Sequence, residues 1–461
     1  MNARLIKVWQ DLQSSYYFIP GLMGLGSILL AYLTIYLDEH YGLKVAEFGF
    51  FLSNKADGAR TILATIAGSM MGVAATTFSI TMVAVTSAAG QYGPRLIGNF
   101  MRDRGNQITL GTFTSTFIYC LLILRVARTG DGESGENMVA EFVPNISLLT
   151  AMGMTLMSVG ILIYFIHHVP ETLNVGNITG RVGRRLRNDI EALYPEELGQ
   201  QDKDKDVDLS KYDLASAVEI KSTAEGYIQT LNEDALLEMA IDQDAVIKIE
   251  YRPGDFVTRG DVLIRIWTEK EMDDATCVRY RKAYAMGQDR TAHQNILFLA
   301  DELVEILARA LSPGVNDPFT AMNCINWYHS AFKVFLRGQM PSPFRRDQNG
   351  NLRVIAHPID FERFASVICD QSRAYIATDR NTTLKMMTIL TELAAGTDKA
   401  AEKAVLLEHL EKLKSAALEG LPMQADKDDI IERHAKALEI VSDSNFFKQE
   451  QSSQRWVGGR G

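Results

Sequence analysis

Cysteine is scarce in this chain: four in 461 residues, at positions 120, 277, 324 and 369, with no Cys-x-x-Cys pair. That excludes a zinc ribbon, a haem-attachment motif and a disulfide scaffold, and Cys324 and Cys369 read as small buried hydrophobes. No P-loop, nucleophile elbow, His-Glu-x-x-His or dinucleotide fingerprint occurs, so the common nucleotide, hydrolase and metalloprotease signatures are missing. The sequence implies no cofactor and no metal site. Basic residues are outnumbered, 47 Lys and Arg against 57 Asp and Glu, for a net charge of −10. That balance argues against a nucleic-acid partner, because such a partner needs a positive surface to release counterions. Charge of either sign is thin in the first 170 residues, with ten basic and ten acidic side chains, so the whole negative excess lies in the remainder.

What fills the charge-poor part is apolar sequence. Phe18–Leu37, Thr61–Pro94, Asn106–Leu124 and Phe142–Ile166 are uncharged runs of 20, 34, 19 and 25 residues. A spanning helix needs about 20 such residues, so the pattern predicts four transmembrane helices and a lipid-bilayer partner. The first run is too long for a cleaved leader, and Leu37-Asp38-Glu39 offers no small-residue cleavage site. Arg4, Lys7, Arg95, Arg102, Arg104 and the arginines at 181, 184, 185 and 187 fall on one side of these helices. Lys44, Lys55, Arg60, Arg125 and Arg128 fall on the other. Nine against five places both termini in the cytoplasm. The acidic segment Asp131–Glu141 then faces outward.

The second run is overlong. Its 34 residues make about 50 Å of helix against a hydrocarbon core of about 30 Å, so it must tilt, protrude or break, with Gly90 and Gly93-Pro94 as the expected break. Thr65, Ser69, Gly72, Thr76 and Ser79 recur at steps of four, three, four and three, which is one helix face. Ala64, Gly68 and Gly72 add a ridge of small residues. Two readings stand: close helix packing, for which small and hydroxyl residues suit the interface, or a polar stripe lining an aqueous path. His167-His168 read as interfacial, with a pH-responsive role as the alternative.

Beyond the apolar runs, residues 171–195 read as a helix whose arginines lie near an anionic surface, and Glu196–Asp213 as a charged linker. Ala217–Lys221, Gly226–Thr230, Ala245–Tyr251 and Asp261–Trp267 have strand composition, separated by the turns Pro253-Gly254-Asp255 and Arg259-Gly260-Asp261. With a short helix at Ala235–Ile241 they predict a small β barrel or sandwich. From Thr291 the period is helical; the helix ends at Leu311, and further helices are expected at about 360–378, 381–395, 398–419 and 425–443. The expected division is 1–170 four-helix transmembrane domain, 171–213 helical connector and linker, 214–270 small β-rich domain, 271–446 helical domain, and 447–461 disordered tail. The fold class is thus an α-helical integral membrane domain joined to an α+β cytoplasmic region.

The strongest polar grouping is Arg309, Ser312, Asn316 and Asp317 in ARALSPGVNDP. Asp317 reads as an N-cap with Pro318 at the first helical position. The grouping is either a capped helix–turn–helix elbow or a ligand or subunit-contact site. Asp301, Glu302 and Glu305 read as a solvated helix face.

Three separated segments carry a resemblance. They are GARTILATIAGSM through LGTFTSTFIYCLLILR, then GYIQTL with PGDFVTRGDVL, then LVEILARALSPGVNDPFTA. Together they resemble the bacterial predicted-membrane-protein family known as domain of unknown function 2254. The resemblance implies a multi-pass protein of the bacterial inner membrane with a large cytosolic region, and no particular activity. His293-Gln294-Asn295 departs from it where an acidic residue is expected, which argues against metal or acid/base chemistry there. Two functions follow: an oligomeric channel- or transporter-like protein with a cytoplasmic regulatory domain, built as a homo-oligomer, or a membrane-anchored binding or scaffold protein without transport. An enzyme ranks behind both, for want of a catalytic grouping.

Overall fold

The structure, a computed structural model, describes residues 15–46, 56–93, 103–127, 142–195 and 212–442. Expectations for the segment 131–141, for most of the linker and for the tail from 447 fall outside these residues. The described chain forms two compact units that divide between Asn174 and Val175.

The first unit is four helices: α1 (Phe18–Ala46), α2 (Ala56–Tyr92), α3 (Arg104–Val126) and α4 (Asn145–Leu173). All four are long and apolar enough to cross a membrane. The most enclosed is α3, which packs against the other three. Leu63, Ala67, Tyr119, Ile123, Leu148 and Ala151 make one buried cluster; Met70, Ala74 and Phe113 make another. Hydroxyls in this interior bond back to their own helix, as Thr112 Oγ1 does to Ile108 O at 2.9 Å, which satisfies them without water. Thr116 and Ser158 also meet across α3 and α4 at 3.2 Å. The overlong second run is one unbroken helix of 37 residues, about 55 Å at 1.5 Å per residue; it ends at Gly93, whose φ of 120° only glycine adopts readily.

Each end of this bundle is tied by a carboxylate. Pro144, the residue preceding α4, supplies no side-chain cap. Asp38 of α1 does so instead, accepting from Ile146 N at 2.7 Å, Ser147 N at 2.9 Å and Ser147 Oγ at 2.6 Å. Beside it Tyr119 OH meets Thr34 Oγ1 at 2.8 Å and donates to Ser147 O at 3.2 Å. At the other end Asp103 caps α3 through Asn106 N and holds His168 Nε2 at 2.9 Å. The ring of Tyr164 stacks on His168 at 4.9 Å. His167 is exposed and His168 partly buried, as adjacent positions on a helix diverge by about 100°.

The second unit begins with α5 (Val175–Leu193), which buries Ile178, Val182, Leu186 and Ile190 and turns Arg181, Arg184, Arg185 and Arg187 outward. Strands β1 (Val218–Lys221), β5 (Val262–Trp267), β3 (Val246–Ile249), β8 (Leu352–Ile355) and β7 (Phe344–Arg346) lie in that order in one sheet. It is antiparallel except where β3 runs parallel to β8. Strands β4 (Phe256–Val257), β2 (Gly226–Leu231) and β6 (Tyr284–Gly287) form a second, antiparallel sheet. Among the described residues no pairing closes either sheet into the expected barrel. The β-structure is also wider than 214–270, because β6, β7 and β8 come from later sequence. Ile220, Ile228, Ile247, Ile264, Ile266 and Val354 fill the core with Leu236 and Met239 of α6 (Glu233–Asp242) and Tyr280 of α7 (Asp274–Lys282).

The remaining helices are α8 (Ile296–Ala310), α9 (Pro318–Arg337), α10 (Phe361–Ile376), α11 (Arg380–Gly396), α12 (Ala400–Gly420) and α13 (Gln424–Ser442). Four of them start on an Asn or Asp cap that accepts from the third helical N–H: Asn295, Asp317, Asp360 and Asp379. Phe332, Phe335, Phe361 and Phe364 meet ring to ring between α9 and α10.

Candidate ligand cavity in the second unit

The residues singled out in sequence occupy three different places. The elbow forms as its spacing implies. Asp317 Oδ1 accepts from Thr320 N at 3.1 Å, Ser312 Oγ donates to Arg309 O at 2.6 Å, and Asn316 turns through φ 49°. Arg309 approaches Glu305 of its own helix at 3.5 Å. Asp317 and Ser312 thus make capping contacts, and none of the four residues lines the candidate ligand cavity of the second unit. Asp317→Ala is expected to cost about 0.5–2 kcal/mol of second-unit stability and Asp317→Asn little, since Asn caps comparably. Thermal melting of the two variants checks this; equal melting of wild type and Asp317→Ala would reject the cap.

The stripe on α2 faces away from the protomer. Thr65, Ser69, Gly72, Thr76 and Ser79 are all exposed, while Leu63, Ala67, Met70, Ala74 and Thr77 are buried. Thr65 and Thr76 donate to Thr61 O and Gly72 O. Among the described residues the stripe therefore packs on nothing within one chain.

Asp301 and Glu302 correct the solvated-face reading. Both are buried, at 9% and 5% exposure, and Asp301 pairs with Arg290 in the loop before α8. The same loop departs from the resemblance without losing the local structure. Asn295 caps α8 through Phe298 N at 3.1 Å, the role an acidic residue would fill. Gln294, at φ 54°, exchanges both amide bonds with the backbone of Leu231, at 3.0 and 3.1 Å.

Gln294 of this loop lines a cavity of about 530 Å³. Another part of the lining is Lys248–Pro253, running out of β3. Leu231, Leu236 and Leu237 contribute from β2 and α6, Leu193 and Tyr194 from the end of α5, and Val354 with Ala356–Ile359 from the strand after the β7–β8 turn. The walls are locked together. Gly254 N donates to Ile228 O at 2.7 Å, and Ile228 N donates to Asp255 O at 2.9 Å. Gly254 sits at φ 99°, and a Cβ there would meet Asn295 Nδ2 at 1.9 Å, so only glycine lets the turn reach the loop. Tyr194 OH donates to Ile359 O at 2.8 Å, and burial pushes its pKa up to about 12.

The polar groups of the cavity differ in what they hold. Glu250 accepts from Lys248 Nζ at 3.0 Å and from Arg265 Nε at 2.9 Å. Arg345, at the exposed side, donates to Ser342 O. Arg252 is partly buried; burial first, and then the neighbouring Arg363 guanidinium, draws its pKa below the ordinary arginine value. Among the described residues no group of three metal-ligating side chains occurs.

Four membrane-length helices followed by a sheet-and-helix unit define a multi-pass membrane protein with an extensive second unit. The chain belongs to the predicted-membrane-protein family of domain of unknown function 2254, which it matches over residues 13–392. An uncharacterized protein of Mycobacterium bovis is 26% identical over 390 residues, covering 83% of this chain and 73% of its own. An uncharacterized protein of Mycobacterium tuberculosis matches to the same extent. No solved structure matches the chain. Two of the segments that carry the resemblance, GYIQTL and PGDF, meet at the cavity wall, whereas LSPGVNDP lies at the far end of α8.

The cavity escaped the sequence reading. A signal for part of it was present: Asn349-Gly350 between Phe344 and Ile355 is a hairpin turn, and that hairpin supplies Val354.

Proposed function

We propose that the protein is a membrane-bound ligand-responsive protein, whose second unit lies on the cytoplasmic side of the bacterial inner membrane and takes a small molecule into its cavity. The observation that carries this reading is the cavity itself: its volume falls in the range of small-molecule sites, and Leu231 and Pro253 of its lining belong to two of the segments that carry the resemblance. The basic asymmetry of the chain supports the cytoplasmic placement. A thermal-shift screen of the full chain with anionic, cationic and neutral metabolites tests it. A ligand at 100 times its Kd stabilises by about 2.7 kcal/mol, so a subset of compounds should raise the melting midpoint of wild type. The cavity-filling variant Ala356→Trp should not respond. A library that moves neither protein, or both alike, rejects the reading.

A second reading, an oligomeric channel- or transporter-like assembly, is favoured by the stripe on α2. Hydroxyls and glycines turned outward suit the meeting of several copies in a homo-oligomer, around a path for which each copy supplies Thr65, Ser69, Gly72, Thr76 and Ser79. With Cys120 replaced by Ser, single cysteines at 65, 69, 76 and 79 should then react with a water-soluble thiol reagent, and cysteines at 66 and 73 should not. Uniform lack of reaction rejects the path and leaves an anchored binding protein.

A further inference from the structure

We infer that the cavity takes a small organic anion: an apolar body carrying one carboxylate or phosphate head. The inference rests on the cavity being a ligand site and adds the sign and shape of what enters it. The apolar body follows from the interior surfaces, where Leu231, Leu236, Ile249 and Val354 present aliphatic carbon. The head follows from a charge inventory of the lining. Lys248, Arg252 and Arg345 face Glu233, Asp234 and Glu250, which balances only on paper. The Glu250 carboxylate is already engaged by Lys248 and Arg265, and Arg265 is shared in turn with Glu219. Glu233 and Asp234 are exposed in the first turn of α6, where the helix end stabilises negative charge without a cation.

Arg252 and Arg345 are left with no carboxylate within ion-pair distance among the described residues. Arg252 is the deeper of the two; after burial, the Arg363 guanidinium disfavours its charge, and the Asp255 and Asp360 carboxylates offset part of that from beyond ion-pair distance. Arg363 in turn reaches Asp255 only at 4.0 Å. Arg252 is partly buried and holds no ion pair among the described residues, and an anion in the cavity beside it supplies the counter-charge that favours its charged form. The planar guanidinium fork also matches carboxylate and phosphate oxygens two at a time. Arg345 at the mouth adds a second positive group on the entry path, which raises the local concentration of anions.

The test uses the full chain in nanodiscs of zwitterionic lipid, with empty nanodiscs as background. The probes are 2-naphthoate, 2-naphthyl phosphate and 2-naphthylmethylammonium, read by fluorescence anisotropy. One or both anions should bind saturably above background, the preferred one naming the head group, and the ammonium should not. Arg252→Gln should weaken anion binding at least about 30-fold, the scale for removing one member of a desolvated charge pair. Arg252→Lys should retain part of the affinity, because charge survives and the fork does not. Arg345→Gln gives an independent reading if Arg252→Gln fails to fold. Anion binding unchanged in these variants, absence of anion binding, or equal binding of the ammonium overturns the inference. Saturable binding of the ammonium that Ala356→Trp removes would keep the cavity as a ligand site while rejecting its preference for anions. Failure of every compound in the thermal-shift screen rejects the site as well.

Discussion

Asp301→Ala should destabilise the second unit by about 3 kcal/mol, at the lower end of what breaking a buried ion pair costs. The carboxylate is nearly enclosed in α8, and its partner Arg290 also lies over the Phe298 ring at 5.7 Å. Truncation leaves that guanidinium partly buried beside an aromatic face and a cavity where the carboxylate stood. The lower end applies because the Arg290 side chain keeps about a quarter of its surface in water, which softens the loss. Asp301→Asn keeps the shape and should cost less. Pairing Arg290→Met with Asp301→Leu should recover much of the deficit, since apolar replacement of both members of a buried pair is often neutral. Denaturant titration of the three variants checks the order. A loss below about 1 kcal/mol for Asp301→Ala would show the pair behaving as a surface contact. Because the Arg290 loop also carries Gln294 and Asn295, the same variant should weaken binding in the cavity.

Asp38→Ala should have a comparable effect on the membrane unit. Three donors at the start of α4 converge on this one carboxylate. Hydrogen bonds to a charged group contribute about 1.5–3 kcal/mol each, and three that share one acceptor group do not add. A loss of about 3 kcal/mol is expected, with Asp38→Asn intermediate because its single carbonyl oxygen serves fewer donors. Unfolding of the detergent-solubilised protein in increasing SDS measures it. If Asp38→Ala unfolds at the wild-type SDS fraction, α4 is capped by something other than α1.

The helices of both units are largely legible in the sequence, because their signals are local. Each of the four uncharged runs overlaps one of the four long helices along most of its length, and Asp317-Pro318 reads as the cap it is. The burial of Asp301 and Glu302 is not legible locally, because charge on a helix looks solvated until its partner is known, and the Asp301 partner Arg290 lies in a loop eleven residues upstream. A clue was there: Leu297, Phe298, Leu299, Ala300, Leu303 and Val304 surround the α8 axis with apolar side chains, and such a helix is buried on all sides. The outward aspect of the α2 stripe was not legible, since periodicity shows that residues share a face and not what that face meets. The cavity joins Leu193, Leu231, Arg252 and Ile359, positions that no local pattern connects.

The cap on α4 also bears on the order in which the protein is made. Asp38 and its donor partners at Ile146 and Ser147 are separated by 108 and 109 residues, so the first helix leaves the ribosome long before the chain that satisfies its carboxylate exists. Until then the carboxylate is held at water, because leaving it unpaired in hydrocarbon costs several kcal/mol. The arrival of the last span releases it from solvent and fixes α1 against α4 in the same event. Closure of the bundle by α4 is therefore a late step of biogenesis, and a nascent chain that stops short of Ser147 lacks the donors that hold the Asp38 carboxylate.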